Sequence, residues 1–387
     1  MNRYYFDHNA TTPVADEVLA ALNLVLREAI GNPSSVHQEG QFARHRVEEA
    51  RHRTASLLGC APEEIVFTSG GTEANNLALL GAVRASGNLS RHVITTAIEH
   101  PAVLNACGRL EREGVLVTYV KAPASGAVDP DDIRREIRPE TVLISVMHAN
   151  NETGALQPVE AIGRLAREMG VLFHVDGVQA AGKAAIDVKQ IPADLYSISG
   201  HKIYAPKGAG ALYVRKGVKL EPLQYGGRHE RQRRAGTENV PGVAAMGEAA
   251  DLARRLLGQE IPRQEGLRDR LERGILDRVR HAAVNAGVAH RIANTTSIRV
   301  DGIDGEALVI ALDLRGFAVS SGSACSSGAV EPSHVLLAMG LSPEQARSSI
   351  RFSLGRQNTA EQVDALIDAV AGCAAHLRRL SPAYSHV

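Results

Sequence analysis

The chain has 387 residues, enough for two or three domains with well-buried cores. Its 43 lysines and arginines balance 43 aspartates and glutamates, so no global field draws it onto nucleic acid or an anionic membrane. Small-molecule chemistry is what this balance leaves, and the four cysteines, Cys60, Cys107, Cys325 and Cys373, lack the CxxC spacing of a zinc site or a disulfide framework.

In chain order, MNRYYFDHNATTPV comes first. It has neither the basic start and apolar stretch of a secretory signal nor a transit pattern, and no apolar run in the chain approaches the roughly 18 residues that span a bilayer. The expectation is a soluble, cytoplasmic protein. Several short apolar runs follow, each stopping at polar or glycine-rich residues and then passing into a helix-like segment. They are EIVFTSGGTEANNLALLGAV, HVITTAIEHPAVLNAC, TVLISVMHANNETG, VLFHVDGVQAAGK and DLYSISGHKIYAPKG. Strands rich in Val, Ile and Leu that alternate with helices predict an α/β fold with a mainly parallel sheet covered on both faces.

Ligands bind such sheets beyond the carboxyl ends of the strands. The residues that fall there are Gly71 and Thr72, Glu99 and His100, Asn150 and Asn151, Asp176 and Gln179, and Ser199, His201 and Lys202. SGGTEANN opens a helix after a strand, so its backbone N–H groups and the Thr72 hydroxyl suit a single phosphate. Neither this loop nor GAG at 208–210 has the glycine pattern of a nucleotide cradle. Pyridoxal 5'-phosphate fits the set, because it needs a lysine for covalent attachment, a carboxylate facing its pyridinium nitrogen and a phosphate cup. Lys202, Asp176 and the Gly71–Thr72 turn are of those types, and His100 could lie against the ring and exchange protons.

Toward the C-terminus, VSSGSACSSGAVEPSHVL surrounds Cys325 with serine and glycine, a composition expected to form a mobile loop. Cys60, Cys107 and Cys373 read instead as packed side chains. The basic run RHERQRR at 228–234 reads, taken alone, as a solvated loop.

With these motifs on view, the chain resembles the NifS/IscS-type cysteine desulfurases of the class V aminotransferase group, fold-type I enzymes that use pyridoxal 5'-phosphate. The resemblance runs nearly end to end, through YFDHNATTPV, GNPSSVH, FTSGGTEANN, TTAIEHPAV, MHANNETG, FHVDGVQAAGK, SGHKIYAPKG, RRAGTENVPG, SGSACSSG, EPSHVLLAMG and IRFSLGR. It implies a large domain at 16–255 around a mainly parallel seven-stranded sheet. A smaller α/β domain, from 1–15 and 256–387, would carry the cysteine loop.

The resemblance also implies residue roles. Lys202 would carry the cofactor, Asp176 would face the pyridinium, Gln179 would donate to the ring hydroxyl, and His100 would stack and shuttle protons. Asn151 would lie at the ring, while Gly71, Thr72, Ser199 and His201 would hold the phosphate. Thr237 would reach the phosphate of the second subunit of a homodimer, making 228–234 part of a shared site edge. Arg351, a planar fork suited to a carboxylate, would grip the substrate, and Asn32 would also meet it. The implied reaction converts L-cysteine to L-alanine and leaves sulfur on Cys325 as a persulfide, for a sulfur-acceptor or iron–sulfur scaffold protein. Selenocysteine lyase or another class V reaction is the alternative, and a non-catalytic sulfur carrier would have no use for Lys202, Asp176 and Arg351 together. The residues leave the acceptor open among iron–sulfur assembly, nitrogenase-dedicated and tRNA-thiolation routes. The tail LRRLSPAYSHV reads equally as a docking segment or a frayed end.

Overall fold

The computed structural model describes residues 3–87, 90–321 and 331–380. After β1 (Tyr4–Tyr5) come α1 (Asp16–Glu28) and α2 (Gln38–Leu58), and then strands and helices alternate. These are β2 (Ile65–Thr68), α3 (Gly71–Ala85), β3 (His92–Thr96), α4 (Pro101–Arg112), β4 (Leu116–Val120) and α5 (Pro130–Glu136). They continue through β5 (Thr141–Met147), α6 (Val159–Glu168), β6 (Leu172–Asp176), β7 (Leu195–Ser199) and β8 (Gly210–Val214). The long α7 (Val240–Arg278) leads to β9 (Ala282–Val284), β10 (Thr295–Val300), α8 (Gly305–Asp313) and β11 (Phe317–Ala318). The described chain closes with α9 (His334–Ala338), α10 (Pro343–Arg347), β12 (Ser349–Ser353) and α11 (Ala360–Leu380).

Seven strands form the central sheet in the order β2-β8-β7-β6-β5-β3-β4. Only β8 runs against its neighbours, pairing antiparallel with both β2 and β7, so the carboxyl ends of the other six share one edge. Successive residues point to opposite faces, as the pleat requires. Val93, Leu143 and Leu212 join α3 and α4 in one apolar layer. Ile94, Ile144 and Tyr213 join α2, α6 and α7 in the other. This two-sided burial explains why the strands read as near-continuous apolar runs.

A second core gathers Phe6 from the N-terminal segment, Leu271 and Ile275 of α7, Ile298, Phe352 and the inner face of α11. It backs an antiparallel sheet of order β12-β10-β9, while β1 pairs in parallel with β11. Helix α7, 39 residues long, serves both cores: Val243 to Ala253 pack on the central sheet and Leu271 and Ile275 on the second core. The junction between the cores therefore lies above the shared edge of the central sheet. Among the described residues no helix is long and apolar enough to cross a membrane.

Candidate active site

A cavity of about 450 Å³ opens at that junction. Gly71 and Thr72 enter it from the start of α3, His100 from the start of α4, Asn151 from beyond β5, and Asp176 and Gln179 from the end of β6. Ser199, His201 and Lys202 follow from β7. All nine stand at the strand ends where the alternating pattern puts them. Opposite, β12 of the second core contributes Arg351, the approach to α9 contributes residues 331–334, and the N-terminal segment contributes Asn9 and Ala10.

Local sequence accounts for the placement of several of these groups. His100 is the N-cap of α4, with Pro101 following at the first helical position, where a missing N–H costs nothing. Its Nδ1 accepts from the Ala102 N–H at 3.0 Å, so Nε2 is the nitrogen left for proton exchange. Burial lowers its pKa, against the opposing pull of Asp176. Lys202 ends a tight turn after β7, and its Nζ donates to the carbonyls of Asn9 and, at 2.8 Å, Ala10. Asp176 is buried; it accepts from Asn75 Nδ2 at 2.7 Å and from the Val178 N–H at 3.0 Å. Burial raises its pKa, while His100, these donors and Lys202 oppose the rise.

Does this cavity suit pyridoxal 5'-phosphate? At the α3 end the N-cap is Gly70, which has no side chain to cap the first turn, and the Ser199 hydroxyl is buried without a partner. A Cβ on Gly71 would lie 2.6 Å from Val178 Cγ2, so only glycine fits where the helix starts. His201 is held down to about 4 by burial and by the positive charges of Lys202, Lys207 and Lys183. Uncapped N–H groups, an orphaned hydroxyl and a positive field together call for an anion. Asp176, whose charge is disfavoured by burial, calls for a cationic partner inside the cavity, as a protonated ring nitrogen would be. The residues fit the cofactor.

Arg351 completes the far side. Its side chain is 4% exposed, and its guanidinium is steered by Asp7 Oδ1 at 2.7 Å and the Asn151 carbonyl at 3.0 Å. Two buried carboxyls lie deeper. Glu99, pushed up to about 8 by burial, accepts from the Thr96 hydroxyl at 2.7 Å and the Met147 N–H at 2.9 Å. Its carbonyl accepts from His334 Nε2 at 2.9 Å. Glu152 accepts from the Ser333 hydroxyl at 2.5 Å, and Asn150 ties its own turn by accepting from the Glu152 and Thr153 N–H groups.

Two expected site residues do not reach this cavity. Asn32 is exposed and accepts from the Ser34 N–H at 2.9 Å. Thr237 is exposed in a separate cleft bordered by Phe67, Ser69, Glu230 and Arg234. Cys325 lies outside the described residues, as does most of the C-terminal tail. The chain on either side of the cysteine segment meets the cavity: the Ser320 backbone pairs with Arg351, and residues 331–334 line the wall. Cys107 and Cys373 are buried, and Cys60 is partly so.

The basic run at 228–234 is anchored as well as solvated. Glu230 is buried against Arg51 at 2.8 Å, and Arg234 Nε donates at 2.9 Å to Glu73 in the first turn of α3. Sequence reasoning missed Asn9, Asn75, Asp7, Lys183 and Glu152. Only Asn75 carried a local signal, lying four residues after Gly71 and hence on the same face of α3.

Comparison with known proteins agrees with this geometry. The family model described as aminotransferase class-V matches residues 4–366. A cysteine desulfurase of Trichormus azollae is 47% identical over 382 residues, covering 99% of this chain and 95% of that protein. The solved structure of a NifS-like protein superposes with a TM-score of 0.91 at 37% identity, covering 97% of this chain and 100% of that one. A structure of SspA in complex with cysteine matches with a TM-score of 0.78 at 37% identity, covering 90% of this chain and 98% of that one.

Proposed function

This chain belongs to the class-V aminotransferase family, and from that premise we propose that it is a cysteine desulfurase dependent on pyridoxal 5'-phosphate. The observation that carries the reading is the single cavity in which Lys202, Asp176 and Arg351 meet. Bound through Lys202, the cofactor supplies an electron sink for negative charge at the substrate α-carbon. Arg351 receives the carboxylate of L-cysteine with its planar fork, already oriented by Asp7. The Lys202 amine takes the α-proton, and His100 exchanges protons through Nε2. Asp176 supplies the buried negative charge at the ring end. Thr72, Ser199, His201 and the N–H groups at Gly71 would hold the phosphate, with Gln179 and Asn151 as the residues that would meet the ring.

Cys325 is the sulfur acceptor in this reading. Its thiolate attacks the substrate sulfur, a sulfur–sulfur bond forms as the bond from the β-carbon breaks, and protonation of that carbon yields alanine. Support comes from both flanks of its segment meeting the cavity wall. Residues 16–255 would be the cofactor-binding domain, with 1–15 and 256–387 carrying Arg351 and Cys325. Asn32 would meet the substrate, and a homodimer in which Thr237 serves the other subunit's phosphate would use a group exposed in a single copy. The persulfide would pass, in the cytoplasm, to a sulfur-acceptor or iron–sulfur scaffold protein.

The test is release of alanine and sulfide from L-cysteine in the presence of a thiol reductant. Equal amounts are expected, and Cys325→Ser should keep cofactor and cysteine binding while losing sulfur transfer. A cofactor-loaded preparation that gives neither product refutes the desulfurase reading.

A further inference from the structure

Lys183 has no assigned part in this chemistry, and its surroundings are unusual for a lysine. Its ammonium donates to two neutral oxygens, Asn9 Oδ1 at 3.1 Å and Gln179 Oε1 at 2.6 Å, and it forms no ion pair among the described residues. A cation held away from water without a carboxylate is costly, so a tie between loops would be better made by a neutral side chain. The same asparagine also holds Lys202, whose Nζ donates to the Asn9 carbonyl. Asn9 has no freedom to separate the two. It is buried, its Nδ2 donates to the Asn151 carbonyl at 3.1 Å and Thr295 Oγ1 at 2.8 Å, and its N–H donates to Ser353 Oγ at 2.9 Å.

We propose that Lys183 is a positioning residue whose charge sets the proton affinity of the Lys202 nitrogen, keeping it able to accept a proton near neutral pH. The inference rests on the desulfurase reading only for the use made of that proton. A second cation beside a catalytic lysine is a known means of freeing its amine. The remaining charged and titratable groups around Lys183 do not cancel it. His8 faces it from the N-terminal segment, His201 from the turn after β7, and Arg351 from β12. Glu260 and Arg356 share the small cleft behind it, but Glu260 is already engaged by Arg263 and Gln264 at 2.8 and 2.7 Å. Burial, Lys202 and Arg351 all disfavour the Lys183 charge, and Lys183 in turn adds to burial in holding His8 at about 4. Gln179 Oε1 and Asn9 Oδ1 accept from the Lys183 ammonium and oppose that loss of charge.

The experiment is a pH titration of the cofactor absorbance in the holoenzyme for wild type, K183Q and K183R. Glutamine keeps a donor without charge, and arginine keeps the charge. In K183Q the inflection should rise by about one pH unit, a tenfold gain in proton affinity, and K183R should titrate with the wild type. The kcat/KM for L-cysteine should fall about tenfold in K183Q at pH 7 and recover by about pH 9. Coincident titrations of K183Q and wild type, or equal shifts in K183Q and K183R, overturn the proposal. A wild type that binds cofactor and titrates but releases no sulfur from cysteine would sink the functional reading while leaving the Lys183 result intact.

Discussion

Arg351 shows how much one side chain's surroundings matter. Its terminal nitrogens are divided between Asp7 and the Asn151 carbonyl, so the plane of the fork is set before any substrate arrives. A lysine would retain the charge and lose the plane, along with one of two charge-assisted hydrogen bonds to a carboxylate. R351K should therefore raise KM for L-cysteine about 10- to 100-fold, the worth of one such bond, with a smaller change in kcat. Steady-state kinetics at fixed pH decide it, and an unchanged KM would remove Arg351 from the substrate carboxylate. Arginine could be singled out from IRFSLGR, whereas its partner could not. Asp7 stands 344 positions earlier in sequence, and no local spacing joins the two.

Between neighbouring strands the same long-range pairing puts histidines inside the sheet. His174 of β6 bridges Ser145 of β5 at 2.8 Å and Ser197 of β7 at 2.9 Å, with no exposed surface. Burial lowers its pKa to about 3, and it lowers that of His148, bonded to the Tyr196 hydroxyl, to about 4. Unfolded histidine titrates near 6.5, so as pH falls the unfolded chain takes up protons before the folded one. The stability these groups preserve is complete above about pH 6.5 and is lost as pH falls toward their folded values. For His174 the loss is on the order of 3–5 kcal/mol. Glu99 works in the other direction: its folded value of about 8 favours the folded state at low pH, and that contribution fades as pH rises through 8. Urea unfolding followed from pH 7 to 4 should show a shallower loss of stability in H174Q than in wild type, and parallel curves would exclude His174 from the acid response. The strands themselves were legible because their apolar runs alternate with helices, and a parallel sheet brings their polar ends to one edge. The reversed direction of β8 and the histidine bridges were not, since each depends on partners in other strands.

At the scale of the whole molecule, one copy leaves parts of the expected site outside its own cavity. Thr237 is exposed in a cleft whose wall includes Glu230, and Glu230, Arg231 and Gln232 all adopt left-handed backbone conformations without being glycine. Such conformations are costly, and here the buried Arg51–Glu230 pair holds them, so the loop is fixed where it projects. Around Asn32, Ile30 and Val36 are 79% and 90% exposed. Thr237 has no local spacing to the strand ends, which is why only the resemblance singles it out. If Thr237 of one subunit completes the phosphate site of the other, Lys202→Ala and Thr237→Asp should each abolish activity, the second by placing a carboxylate against the phosphate. In a mixed dimer one site then combines both defects and the other is whole. Random pairing makes half the dimers mixed, so activity should return to about a quarter of the wild-type value in the unfractionated mixture and to about half in the purified mixed dimer. Co-expression with two different tags, followed by tandem purification, isolates the mixed dimer for assay. Mixed dimers that form and remain inactive would mean that Thr237 serves its own subunit or none.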